Sequence, residues 1–211
     1  MSVFWWLIAA TLVVAVAEWW AVATARRPVE YVFKPLTMVV LIAAAVALSD
    51  PASEAARWWL VAGLVCSLAG DVFLMLDDLF VPGLASFLLG HLCYIAALVN
   101  LGLEPTATVL GAVFVVLCGA FVGRIVVQAA GRTDRRLTVP VAAYITAISV
   151  MVAAAIGTTI PFAIAGALLF YLSDACIGWS RFVGEFPQSR MAIITTYHLG
   201  QIGLVLGLVA L

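Results

Sequence analysis

Apolar residues fill most of the chain, and the polar ones fall at intervals that leave about twenty apolar residues between them. A bilayer span needs roughly 20 such residues. The pattern predicts helices near 3–24, 35–49, 56–76, 82–101, 106–130, 137–157, 160–183 and 190–211, joined by short loops. Pro35, Pro82 and Pro161 fall near predicted helix starts, where a missing N–H costs nothing. The tryptophans lie mostly near predicted ends, as interfacial anchors do. The expected fold is all-α, a polytopic membrane bundle of eight transmembrane helices forming a single domain over 1–211.

Composition agrees. Of 211 residues, 66% are hydrophobic and 10% charged, where soluble domains carry roughly 25% charged residues. A net charge of -1 excludes a strongly basic nucleic-acid binder. Ala15-Val16-Ala17 imitates a signal-peptide cleavage site, but no positive segment precedes it, so a retained first span is expected. Cys66, Cys93, Cys118 and Cys176 stand singly in apolar runs and read as packing residues.

Charge sets an expected orientation. One face receives Arg26, Arg27, Lys34, Arg132, Arg135, Arg136, Arg181 and Arg190. The other receives Arg57 with Asp50, Glu54 and Glu104. The positive-inside rule puts the basic loops in the cytoplasm and both termini outside.

Several ionisable residues interrupt the apolar runs, and each is costly in lipid. At the helical rise, Glu18, Asp71, Arg124 and Asp174 lie roughly 9–14 Å before a basic helix end, and His91 and His198 roughly 12–14 Å after one. Six groups from six helices thus share one layer. Gly70-Asp71 and His91-Leu92 have echoes in Ser173-Asp174 and His198-Leu199, which suggests a four-plus-four parallel repeat.

Blander readings stand beside the functional one. The aspartates can be polar staples between helices, Arg124 can snorkel, and Asp77 with Asp78 reads as a solvated loop pair. Two histidines and two aspartates also suit zinc, but no HxxxH or HExxH pair occurs. GxSxG, P-loop, Rossmann and redox motifs are likewise lacking.

Five blocks carry a resemblance: Lys34-Pro35-Leu36-Thr37, Gly70-Asp71-Val72-Phe73-Leu74-Met75, Phe87 to Tyr94, Leu169 to Asp174, and Tyr197-His198-Leu199-Gly200-Gln201. In order and spacing the chain resembles the YhhN family. That family contains the lysoplasmalogenases, eight-span enzymes that cleave the vinyl ether of lysoplasmalogens. The chain departs from the family pattern at His198, where a second tyrosine is expected, and Glu18 lies outside the blocks.

The resemblance implies protonation of the enol-ether β-carbon, attack of water on the resulting cation, and collapse to an aldehyde and an alcohol. Two carboxylates suffice, much as in glycosidases, with no metal, nucleotide or other cofactor. It implies Asp71 and Asp174 as the catalytic pair. Lys34, His91, Tyr94, Ser173, Tyr197, His198 and Gln201 are then expected to bind a lysophospholipid substrate. A proton-coupled transporter and a metal-dependent lipid amidase or esterase remain as alternatives, since intramembrane Asp and His also mark proton relays.

Overall fold

The structure is a computed structural model describing residues 2–76 and 78–209. Eight long helices run in chain order: α1 (Val3–Ala23), α2 (Arg27–Ala47), α3 (Glu54–Leu74), α4 (Phe80–Asn100), α5 (Pro105–Thr133), α6 (Thr138–Gly157), α7 (Pro161–Phe182) and α8 (Ser189–Leu206). Among the described residues seven helices are long and apolar enough to cross a membrane, so the protein is a multi-pass membrane protein. The eighth, α8, is the most enclosed. Ten of its residues are buried, including Tyr197, His198 and Gln201, so its polar positions meet protein instead of lipid.

Two boundaries differ from expectation. Helix α2 begins at Arg27, not near 35, so Pro35 lies inside it and Pro28 takes the helix start. The polar first turns are satisfied by neighbours: Glu30 pairs with Arg190 of α8 at 2.6 Å, and Lys34 reaches α3. The helix expected over 106–130 extends to Thr133, and a π-helical turn at Gly119–Gly123 interrupts it. Helix α8, expected to run to 211, ends at Leu206 with Gly207 as its cap, and Val209 pairs with Pro51; the Asp77 half of the loop pair lies outside the described residues.

Glycines set how closely the central helices approach. A Cβ on Gly70 would come within 2.5 Å of the Phe87 ring, and one on Gly63 would overlap the Tyr94 ring, so α3 lies flat against the aromatics of α4. Helices α7 and α8 meet backbone to backbone. A Cβ on Gly166 would lie 2.5 Å from the Leu204 nitrogen, and one on Gly203 would lie 2.6 Å from the Gly166 Cα. The side chains of α3, α4, α7 and α8 that meet between these pairs, such as Leu64, Tyr94, Phe170 and Leu204, form the core together with Phe4 of α1, Met38 of α2 and Met151 of α6, all buried. Around it lies an apolar exterior. Trp20 and Trp58 stay exposed under Arg26 and Arg57, with the guanidinium carbons 4.6 and 5.0 Å above the rings.

Outside the spans, Glu104 caps α5. Its carboxylate accepts from the Thr106 and Ala107 amides, which hold the carboxyl below its usual range.

Candidate active site

The six charged or titratable groups expected to share one layer do not form one cluster. Five of them meet in two groups, and Arg124 stays exposed on α5 beside the π-turn.

The first group surrounds Asp71 of α3, which is 2% exposed. Its Oδ1 lies 3.2 Å from the Lys34 ammonium of α2, and its Oδ2 accepts from the Tyr197 hydroxyl of α8 at 2.6 Å. Next to it, the Tyr94 hydroxyl donates to Gln201 Oε1 at 2.8 Å and lies 3.0 Å from Ser67 Oγ. The position one turn before Asp71 therefore anchors Tyr94. Glu18 and His198 form a buried annex, with Glu18 Oε2 3.3 Å from His198 Nε2. The Trp19 indole donates to His198 Nδ1 at 3.2 Å, so in the neutral ring the proton sits on Nε2, facing Glu18.

The second group surrounds Asp174 of α7. The Tyr144 hydroxyl of α6 donates to its Oδ2 at 2.5 Å, and His91 Nε2 of α4 lies 3.6 Å from the same oxygen. Neither nitrogen of the fully buried His91 has a hydrogen-bond partner, nor has Gln201 Nε2. Aromatic rings join the two groups. Phe170 lies 5.0 Å from His91 and 5.4 Å from Tyr197, centroid to centroid, and Phe87 lies 6.0 Å from Tyr197.

An apolar cavity of about 350 Å³ opens beside the second group. Asp174, Tyr144 and Tyr171 are its principal polar wall residues, and Phe87 closes it toward the first group. Asp71, Lys34, Tyr197 and Gln201 do not line it. Along α7 the wall runs from Leu168 to Phe182, with Asp174 partway. Phe114, Val122 and Leu172 line the cavity and are also 43%, 40% and 51% exposed, so it opens sideways between α5 and α7.

Of the other expected site residues, Ser173 is buried and donates to the Ile193 carbonyl at 3.0 Å, tying α7 to α8. Lys34, expected to bind the substrate, pairs with Asp71. Tyr144 was not singled out in the sequence. A lone tyrosine in an apolar helix reads as an anchor, and only the fold brings it to Asp174. Among the described residues no three His, Cys, Asp or Glu side chains group closely enough to hold a metal ion.

Comparison with known proteins adds an independent line. The chain is 35% identical over 191 residues to the lysoplasmalogenase of Mycobacterium tuberculosis, covering 87% of this chain and 72% of that protein. It is 33% identical over 141 residues to human lysoplasmalogenase TMEM86B, covering 66% of this chain and 58% of that one. Against bovine lysoplasmalogenase TMEM86A it is 32% identical over 159 residues, covering 70% and 63%. No solved structure matches. The YhhN family profile matches residues 29–208, which hold both aspartates and every residue bonded to them, and to that family the chain belongs.

Proposed function

We propose that the protein is a membrane-embedded lysoplasmalogenase. It hydrolyses the vinyl ether of a 1-alkenyl lysophospholipid to a fatty aldehyde and glycerophosphoethanolamine or glycerophosphocholine. The observation that carries this reading is a carboxyl group, Asp174, set into the wall of an apolar cavity open to the lipid-facing surface. A protein working on a water-soluble substrate has no use for such a route.

The partners divide the roles. Asp71 balances the positive charge of Lys34, so it serves as the carboxylate. Asp174 has no lysine or arginine partner among the described residues, and an uncompensated charge among apolar side chains is costly. It serves as the acid: Tyr144 engages Oδ2, which leaves Oδ1 to carry the proton.

Asp174 gives that proton to the β-carbon of the enol ether, and the α-carbon becomes an oxocarbenium ion. Water adds there, and its proton passes to Asp71, which lies behind Phe87, through a second water held between His91 and Gln201. His91 and Gln201, whose buried polar atoms lack protein partners, orient the water. In the collapse of the hemiacetal, its hydroxyl proton returns to Asp174. The departing glycerol oxygen takes, back along the same water, the proton held by Asp71. Atoms and charges then balance, and neither carboxyl is consumed. The basic loops are assigned to the cytoplasm, with both termini outside.

The test is aldehyde release from a 1-alkenyl-lysophosphatidylethanolamine by the purified protein in vesicles. Loss of an acid or base group typically costs about 10²–10⁴ in rate, so Asp174→Asn and Asp71→Asn are each expected to lose at least two decades. A folded variant of either kind that works at the wild-type rate defeats the two-carboxylate mechanism.

A further inference from the structure

We propose that the phosphodiester of the substrate is held away from Lys34, in a polar vestibule built on Arg132 and Gln128 at the basic end of α5. The inference rests on the lipid substrate assigned above. It begins with the direction in which a lipid must lie.

The apolar cavity extends along α7 to both sides of Asp174, inward to Leu168 and toward the basic loops to Phe182. A vinyl ether at Asp174 therefore sends its hydrocarbon chain one way and its glycerol the other. The inward arm ends among Leu168, Phe114 and Ile148, which suits a chain. The other arm ends at Phe182, eight residues or roughly 12 Å along the helix from Asp174.

Phe182 is also a wall of a second cavity, open at the surface and of about 500 Å³, whose lining includes the exposed Gln128, Arg132 and Thr133. Gln128 and Arg132 are four residues apart on α5, so they share a face. Thr133 donates to the Ala129 carbonyl at 3.2 Å, which leaves the guanidinium and the amide as the principal donors. Among the described residues no carboxylate pairs with Arg132, whereas Lys34 already faces Asp71 at 3.2 Å. A guanidinium presents its N–H groups as a fork that matches two phosphate oxygens. The bland role for Arg132 is a cation at a helix C-terminus. That role explains neither the cavity beside it nor the wall shared with the apolar one.

The experiment compares two substrates in the full-length protein in vesicles: 1-alkenyl-lysophosphatidylethanolamine and 1-alkenylglycerol, which lacks the phosphate. A hydrogen bond to a charged group is worth tenfold or more in affinity, roughly. Arg132→Gln is expected to raise KM for the phosphorylated substrate by about that factor relative to 1-alkenylglycerol. Gln128→Leu should act in the same sense and more weakly. Equal effects on the two substrates, or an unchanged KM for the phosphorylated one, overturn the assignment.

A binding arm does not depend on hydrolysis. A saturated 1-alkyl-lysophosphatidylethanolamine is titrated into the Asp174→Asn protein with and without Arg132→Gln, which should weaken binding. Competition by glycerophosphoethanolamine but not by equal inorganic phosphate supports a head-group site, and equal competition by inorganic phosphate defeats it. Binding that depends on Arg132, together with no aldehyde release by the wild-type protein from 1-alkenyl-lysophosphatidylethanolamine, refutes the hydrolase reading alone. Normal hydrolysis with an indifferent Arg132→Gln refutes this site alone.

Discussion

The surroundings of Asp71 and Asp174 are built on one plan and differ in charge. Asp71 on α3 is held by one residue from α2 and one from α8; Asp174 on α7 is held by one from α6 and faces one from α4. If each half of the chain contributes four helices, α2 corresponds to α6, α3 to α7, and α4 to α8. Each aspartate then takes one partner from its own half and one from the other. The own-half partner is the ammonium of Lys34 in one case and the phenol of Tyr144 in the other. One substitution of partner makes one carboxylate charge-compensated and enclosed, and leaves its counterpart uncompensated beside a cavity. On the proposed mechanism, similar frames serve different chemistry when one neighbour changes.

The comparison breaks most sharply at the carboxyls themselves. Asp174→Asn should remove activity by about 10²–10⁴ with little change in thermal unfolding in detergent, because asparagine still accepts from Tyr144. Asp71→Asn should lose activity and stability together, since it strands the Lys34 charge. Breaking a buried ion pair costs about 3–5 kcal/mol, and the partial exposure of Lys34 puts the expected loss toward the lower end. Lys34→Met combined with Asp71→Leu should recover most of that stability and none of the turnover. If the single and double variants unfold alike, Lys34 and Asp71 are not energetically coupled.

A smaller effect is expected at the phenol. Tyr144→Phe deletes one hydrogen bond to Asp174 and should lower kcat about tenfold, at about 1.5 kcal/mol for a bond to a charged group. Aldehyde release at saturating substrate reads it, and an unchanged kcat removes Tyr144 from the mechanism. The smallest effect belongs to the exposed pair between Glu30 and Arg190. Replacing both with glutamine should cost under about 1 kcal/mol. Unfolding curves that shift as far as those of Asp71→Asn erase the contrast between the buried and surface pairs.

Much of this was legible in the chain. The eight helices follow from the length of the apolar runs, and Asp71, His91, Asp174 and Gln201 declare themselves as polar groups inside them. The start of α2 was not legible, because Arg27, Glu30 and Lys34 resemble loop residues until Arg190 and Asp71 are seen to receive two of them. The π-turn at Gly119–Gly123 carries no periodic signal strong enough to reveal it. Depth along each helix placed six groups in one layer, but rotation about each helix decides who meets whom. That rotation put Arg124 outside and brought in Tyr144, and it is a property of packing.

The sideways opening between α5 and α7 has a consequence for traffic. On the proposed reaction one product is oily and the other water-soluble, and the two have different ways out. The aldehyde can partition into the bilayer past Phe114, Val122 and Leu172, whose side chains bridge the cavity and the lipid-facing surface. The glycerophosphodiester leaves past Phe182 at the basic end. A reactive aldehyde then need not cross the polar vestibule, and neither product has to retreat along the path of the other.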